Sequence, residues 1–482
     1  MKKLLLAITA LIAAGSLSAQ NEQLHIYRND NKFATHKGAE ISNISFAGTD
    51  RMTVTDLDGK AYQYPMSAVD SCVLRPDGIP EIFVTLTDYP DWTELQGAKD
   101  DVRAATLYMK GNGMYDDLPE QTVEFRGRGN STWNMPKKPY RFKMAKKTSV
   151  CGLPKAKTFA LLANFIDCTL TRNAVAMWIA RYLEMPYSNH IIPVKVYLNG
   201  HYKGQYVMTE KIGVGGGSVD IDETTGMLFE LDTNYDEDFK FRYTWRNGNV
   251  QESIPVMVKD PDLAELAEDP DVPGITNAND YFALWQADFT RMADIVTSRK
   301  ATESLSDVLD IESVVNYFLV FSLCGNHELV HPKSMYMHKL ALGEDEVYHF
   351  GPVWDFDWAF TFNGKEGAPA NEALIAANGK ASGYAFFKLI MANQEVRNLF
   401  KEKFDDFVAN GYPQLIDFIN EYATLIEPSA KENGILWPSQ RYQNSYRITG
   451  SFELRDNIET LKKWLDSRIN FMKTDKNYGL YQ

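Results

Sequence analysis

Cysteine is scarce: Cys72, Cys151, Cys168 and Cys324 are spread across 482 residues. They lack the close pairs of a zinc site, and four in so long a chain are no disulfide scaffold, although they allow three pairings. Buried free thiols are the expectation for most of them. Positive charge is in deficit, with 50 Lys and Arg against 64 Asp and Glu and a formal net charge of −14. That excludes a general nucleic-acid binder, which needs a basic face. Beyond residue 19 no stretch approaches the ~18 consecutive apolar residues of a membrane span, and there is no long low-complexity tract. Aromatics are plentiful, with 26 Phe, 25 Tyr and 9 Trp, so a substantial core is available. The length suits two or three domains, or one large domain with additions.

Residues 1–19 combine a basic start (Lys2, Lys3), an apolar run from Leu4 to Ala14 and small residues before a cut after Ala19. That is the pattern of a secretory signal peptide. No cysteine follows the apolar run, so lipidation is not indicated. The expected destination is the periplasm, the cell surface or the medium.

Residues 20–78 form a polar, short-stranded segment, expected to be a small β-rich module. Lys32 to Phe46 and Lys60 to Leu74 resemble each other at an offset of 28 and suggest two hairpin-like units. Arg75-Pro76-Asp77-Gly78 reads as a linker. From residue 79 to 482 the patterns lengthen. Strands are expected at Glu81–Thr87, Gln121–Arg126 and Pro139–Met144, the last alternating polar and apolar residues. Two adjoining apolar stripes within Asp167–Met185 predict a largely buried helix. Asn199-Gly200 between alternating runs is a two-residue hairpin signal. A helix is expected from its N-cap Asp310 to Leu323, with Gly325 past its end. A polar loop, Asn326 to Lys333, then leads into a hairpin of Met335–Lys339 and Val347–Phe350. From about residue 370 helical periodicity dominates, at Phe386–Met391, Val396–Val408, Tyr412–Ile426 and Phe452–Met472. The fold class is α+β with a helical C-terminal half.

Three constellations carry chemistry. Gly351-Pro352-Val353-Trp354-Asp355-Phe356-Asp357-Trp358 sets two carboxylates among large apolar side chains. Buried charge is costly unless paired, hydrogen-bonded or metal-bound. The segment is therefore either a metal or catalytic pair or a turn in which one Asp caps backbone N–H groups. The second constellation is a basic cluster, Arg126, Arg128, Lys137, Lys138, Arg141 and Lys143, with Gly127 and Gly129 allowing close backbone approach and Asn130, Ser131 and Thr132 offering donors. Those residues suit polyphosphate, although the Gly-Lys-Ser/Thr ending of a Walker A loop is missing. The third is Glu328, in the loop after a buried helix and 27 positions before Asp355. A base on one loop and metal-holding carboxylates after the next hairpin is a layout that phosphoryl transfer uses. His327 and His331 flank Glu328, but without the helical setting of a hydrolytic zinc motif.

Arg126–Trp133 (RGRGNSTW), Pro136–Lys143 (PKKPYRFK), Thr171-Arg172-Asn173, Tyr197–Ile212 (YLNGHYKGQYVMTEKI), Leu228–Asp232 (LFELD) and GPVWDFDW occur together in order. In these the chain resembles the spore-coat CotH kinase family from about residue 80 to Met472. The resemblance implies an atypical protein-kinase-like core, ATP and Mg²⁺ as cofactors, and a protein substrate. It implies that Asp355 holds Mg²⁺ and the nucleotide phosphates, assisted by Asp357. Lys138 or Lys143, with Arg128, would contact phosphates. Tyr206–Lys211 would be the hinge lining the adenine pocket, with Glu210 at its family position, and Arg172 and Asn173 would open the helix beside the site. One departure stands out. The family's Asn-x-Asp catalytic loop reads Asn326-His327-Glu328 here, and Ser334 falls near the position of a metal-binding Asn. Glu is one methylene longer than Asp, and a hydroxyl is a weaker metal ligand than an amide carbonyl.

The expected function is an exported Mg-ATP-dependent kinase acting on Ser or Thr of a protein, with Glu328 and Asp355 catalytic and Asp355, Asp357 and Ser334 at the metal. One alternative is a catalytically weak surface scaffold that binds a protein or glycan. Another is a glycan hydrolase with paired carboxylates, which leaves the basic segment unexplained.

Overall fold

The computed structural model describes residues 22–28, 33–76, 78–268, 270, 272–298, 304–329, 332–343, 345–360, 370–374, 384–438, 450–451 and 453–480. The leader at 1–19 and His331 lie outside them. Six short strands open the chain: β1 (Glu22–Arg28), β2 (Phe33–Lys37), β3 (Ile41–Ala47), β4 (Arg51–Asp56), β5 (Ala61–Pro65) and β6 (Val69–Pro76). They make two three-stranded sheets, β2-β1-β6 and β3-β4-β5. Leu24, Ile26, Met52, Val54, Tyr64 and Val69 form the core they share. The offset-28 resemblance is therefore not a pair of hairpins. Each segment sends one strand to each sheet, β2 with β3 and β5 with β6. A lone two-stranded hairpin is marginal in water, so crossing between sheets is what buries the apolar positions.

Seven strands then close a barrel in the order β10-β11-β13-β12-β7-β8-β9. They are β7 (Glu81–Leu86), β8 (Arg103–Lys110), β9 (Leu118–Gly127), β10 (Tyr140–Thr148), β11 (Ala156–Leu162), β12 (Ile192–Leu198) and β13 (His201–Glu210). Ile82, Leu107, Phe125, Phe142, Phe159 and Tyr206 are among the side chains that fill it. The alternation read in β10 is realised, with Tyr140, Phe142 and Met144 buried and Lys143 exposed. Asn199 and Gly200 turn the β12–β13 hairpin with φ of 48° and 78°, the left-handed pair that a tight hairpin turn requires.

Helix α1 (Arg172–Tyr182) interrupts the barrel between β11 and β12. A second sheet, ordered β15-β16-β14-β17-β18, comprises β14 (Met227–Leu231), β15 (Lys240–Asn247), β16 (Val250–Asp260), β17 (Met335–Lys339) and β18 (Tyr348–Phe350). Between β16 and β17 run α2 (Leu263–Leu266), α3 (Ala278–Ser298) and α4 (Ile311–Cys324). Every residue of α4 but Glu312 is buried. Asp310 caps it, accepting from Ser313 N at 2.6 Å, and Gly325 ends it at φ 60°. The last stretch is helical as expected: α5 (Tyr384–Met391), α6 (Gln394–Asp406), α7 (Tyr412–Leu436) and α8 (Leu454–Thr474). The fold is thus α+β. None of the four cysteines is in a disulfide, and Cys151 and Cys324 are buried. No helix of the described residues is long and apolar enough to cross a membrane.

Candidate functional site

The chain leaves β18 into the segment that carries the paired aspartates. Val353 and Phe356 are buried there, and Asp355 sits at φ 62°. A non-glycine residue in that region stores on the order of 1–3 kcal/mol of strain, so its surroundings must hold it. Asn326 Nδ2 donates to Asp355 O at 3.2 Å, and Phe356 N donates to Asn173 Oδ1 at 2.9 Å. Asn173 Nδ2 also donates to Asp357 Oδ1, and Arg172 Nη1 to Asp357 O at 2.8 Å. Arg172 is itself fixed, its N–H bonded to Asp167 Oδ2 at 2.9 Å and its Nε 3.4 Å from Asp167 Oδ1. The first turn of α1 is therefore a bracket for residues 355–357.

Asp355 and Asp357 face a cleft of about 220 Å³ that is also lined by Arg128, Asn173, Glu230, Asp232, Lys259, Glu328, Lys333, Ser334 and Tyr336. Glu328 lies in the short turn His327–Leu329 that follows α4, and its N–H donates to Asn326 Oδ1 at 3.0 Å. Ser334, at φ 51°, donates its N–H to Asp232 Oδ2 at 3.1 Å. Glu230 accepts from Tyr336 Oη at 2.9 Å and pairs with Lys259 at 2.7 Å, and Lys259 also meets Glu237 at 2.7 Å. Of the residues nominated from sequence, Arg128, Glu328, Ser334, Asp355 and Asp357 come together here. Glu230, Asp232 and Lys259 carry no role in the sequence reading, and Asn173, expected to open the helix beside the site, lines the cleft itself. LFELD, two acids one residue apart among apolar side chains, shares the signature that drew notice to WDFD.

Gly129, Asn130, Ser131 and Thr132 of the basic segment line it too, whereas Lys138, Lys143, Arg172 and Glu210 do not. Lys143 points outward and meets Glu124 across the strand pair at 3.8 Å. Lys138 Nζ donates to Trp133 O at 2.7 Å. Lys137 is wholly buried, donates to Gln205 O and to Asn433 Oδ1 (2.8 Å), and lies 4.4 Å from the Tyr206 ring centroid. The buried carboxylate of Glu210 ends β13 as a clasp, accepting from His190 N at 3.0 Å and lying 2.5 Å from His190 Nδ1. Strand alternation keeps Arg126, Arg141 and Lys143 on the outer face of β9 and β10, while Lys137 and Lys138 precede β10 and are committed elsewhere. The two glycines serve their own loop: a Cβ at Gly127 would lie 2.4 Å from the Trp133 ring, and one at Gly129 2.2 Å from Thr132 Oγ1.

Charge in the cleft is unbalanced, with seven carboxylates (Glu230, Asp232, Asp236, Glu237, Glu328, Asp355, Asp357) against Arg128, Lys259 and Lys333. Burial, then the charges of Asp355 and Asp167, push the Asp357 carboxyl up to about 7. Burial also raises Glu230 and Asp232. It lowers Arg128, which the Asp355 and Asp357 charges partly restore and whose guanidinium lies 5.5 Å from the Trp354 ring centroid. A dication beside Asp355 and Asp357 would relieve this repulsion. Among the described residues no three His, Cys, Asp or Glu side chains form a metal-holding group. Two carboxylates fit Mg²⁺, which takes one or two from protein and fills its shell with water and phosphate oxygens.

A family model described as CotH kinase protein matches residues 125–472. The chain belongs to the CotH kinase family. No curated protein matches it. The CotH stretch contains every cleft residue named above. It begins within β9, so β7 and β8 precede it although they complete the barrel.

Proposed function

We propose that this CotH-family chain is an exported, Mg²⁺-dependent kinase with a kinase-like core, transferring the ATP γ-phosphate to Ser or Thr hydroxyls of a protein. One observation carries this: Arg128 from the barrel, Glu328 from the turn after α4, and Asp355 and Asp357 from the loop after β18 line one cleft. Asp355 and Asp357 would hold Mg²⁺, with the Ser334 hydroxyl beside them. Arg128, Lys259 and Lys333 would neutralise phosphate oxygens; of the cations nominated from sequence to contact phosphate, Arg128 is the one that lines the cleft. Glu328 would orient the acceptor hydroxyl and take its proton. Bound Mg-ATP supplies the anhydride whose terminal P–O bond breaks as the acceptor oxygen bonds to phosphorus. The extra methylene of Glu328 moves the base, and a displacement on the order of 1 Å can cost ~10²-fold in rate, so slow turnover is expected. ATP with Mg²⁺ should raise the melting temperature of the protein, and Asp355→Ala should remove that shift. No shift in the unaltered chain at millimolar ATP and Mg²⁺ would overturn the proposal.

A further inference from the structure

A second cavity, of about 600 Å³, shares no residue with the cleft. It is bounded by α1, by α7, by Ile191 and Pro193 where β12 begins, and by Arg28 at the end of β1. Helical periodicity creates it. Asn173 faces the cleft, whereas Ala174, Trp178, Arg181 and Tyr182 recur on another side of α1, as the 3.6-residue turn requires. On α7, Gln414, Asp417, Phe418, Glu421, Tyr422 and Leu425 form the facing stripe at the same period. Space of this size suits an organic ligand of two or three rings.

Aromatic rings make much of its lining. The Tyr182 and Trp178 planes are 15° apart with centroids 5.6 Å apart, and those of Trp178 and Phe418 are 25° and 6.0 Å apart. Phe418 leads on to Tyr422, 5.7 Å away. Tyr422 is 3% exposed, and its hydroxyl has no hydrogen-bond partner among the described residues. A buried hydroxyl left unpaired is costly, and a ligand is one explanation for it. Burial, then the charges of Asp167 and Tyr115, keep that hydroxyl protonated, so it retains a hydrogen to donate. Arg28 and Arg181 offset Asp417 and Glu421, so the lining carries no net charge. Arg181 spends one donor on Asn189 O at 2.8 Å, and Asp417 is exposed to solvent.

We propose that this cavity binds a neutral saccharide the size of a disaccharide. Sugar rings present C–H faces that pack on aromatic side chains, and hydroxyl edges that take both donors and acceptors. The cavity offers that combination. The Tyr182, Trp178 and Phe418 rings can take a ring face, the Tyr422 hydroxyl is a donor at the buried end, and Arg181, Gln414 and Asp417 can bond the remaining hydroxyls. A purely apolar ligand would leave Tyr422 unpaired, and an ion of either sign would meet a like charge. The site is independent of the kinase function proposed above: it would hold the chain to a glycan while the cleft, on another side of α1, stays open.

The test is an array of immobilised neutral, acidic and amino-sugar glycans probed with the full chain, followed by calorimetric titration with a disaccharide taken from the strongest neutral hit. Neutral glycans should bind. Tyr422→Phe should weaken the disaccharide about tenfold, the value of one hydrogen bond. It should keep or raise the ligand-free melting temperature, because it deletes a hydroxyl that has no partner. Should that variant melt lower, Asp417→Ala, at an exposed position, provides the same comparison. An array with no glycan bound, binding confined to acidic or amino sugars, or unchanged affinity in the folded variant overturns the site. None of these results touches the kinase proposal, which the melting shift with ATP and Mg²⁺ decides separately.

Discussion

Glu328 and Asn173 are the two residues whose replacement separates chemistry from architecture. Glu328 is buried at the cleft with its turn pinned to Asn326. Glu328→Gln keeps the shape and removes the proposed base, so on that proposal phosphate incorporation should fall to background while nucleotide-dependent stabilisation persists. Incorporation at the normal rate would remove Glu328 from the mechanism. Asn173 is 3% exposed and bonds both Phe356 N and the Asp357 carboxylate. Asn173→Ala leaves a buried N–H and a buried carboxylate short of partners, each worth ~1–3 kcal/mol. A loss of about 3 kcal/mol in chemical denaturation, with weaker Mg²⁺-dependent stabilisation by ATP, is the expected result. Sequence patterning pointed to Asp355 because two acids among aromatics need a reason to be there. It could not point to Asn173 as the brace, because an amide at a helix start looks the same whether it caps, braces or faces water.

At the scale of elements, the β17–β18 hairpin sets where residues 355–357 begin. His338 on β17 faces His349 on β18, with ring centroids 5.3 Å apart. Its Nδ1 bonds Gly351 O at 3.0 Å, at the exit from β18. Burial lowers its pKa from 6.5 to about 4, with the Gly351 hydrogen bond opposing and His349 adding to the shift. The folded state therefore binds fewer protons than the unfolded state between those values. Stability is complete above pH 6.5 and falls as the pH drops toward 4, by about 3 kcal/mol from this group. Denaturant midpoints at pH 7, 5.5 and 4 should show the loss, and His338→Gln should flatten it; an equally steep variant would place the acid sensitivity elsewhere. The hairpin itself was legible, as were α4 with its Asp310 cap and Gly325 stop, because caps and alternation are local signals. The start of α1 was placed too early. Residues 167–171 (Asp-Cys-Thr-Leu-Thr) are mostly poor helix formers, and Asp167 is committed to Arg172 and to Thr169 (2.6 Å to its hydroxyl).

Across the whole molecule, Lys137 joins the barrel to the helical C-terminal half. Its ammonium, pushed well down in pKa by burial, donates to Gln205 O on β13 and to Asn433 on α7. Lys137→Ala should cost about 3 kcal/mol by removing the bridge and opening a cavity. Lys137→Met should cost less, because it fills the space without a charge to desolvate. A loss below about 0.5 kcal/mol for the Ala variant, the range of an ordinary surface change, would show that the two halves are joined by other contacts. From the sequence this lysine belonged to a phosphate-binding group, since its neighbours are basic and nothing local marks it as buried.

By itself the amino-acid sequence determined the family, the α+β class, most elements of the CotH stretch, and the carboxylate pair with Glu328 upstream. Each of these rests on spacing, capping or residue type within a short window. Only the tertiary structure decided the rest. It closed the barrel through the parallel pairing of β12 with β7 and sent the two related N-terminal segments to both sheets. It drew Glu230, Asp232 and Asn173 into the cleft and divided one basic segment among the cleft, the buried Lys137 bridge and the outer barrel face. The physical reason is that strand partners and buried faces are chosen by contacts between residues far apart in the chain. Those contacts, rather than local pattern, determine which charges are neutralised and which await a ligand.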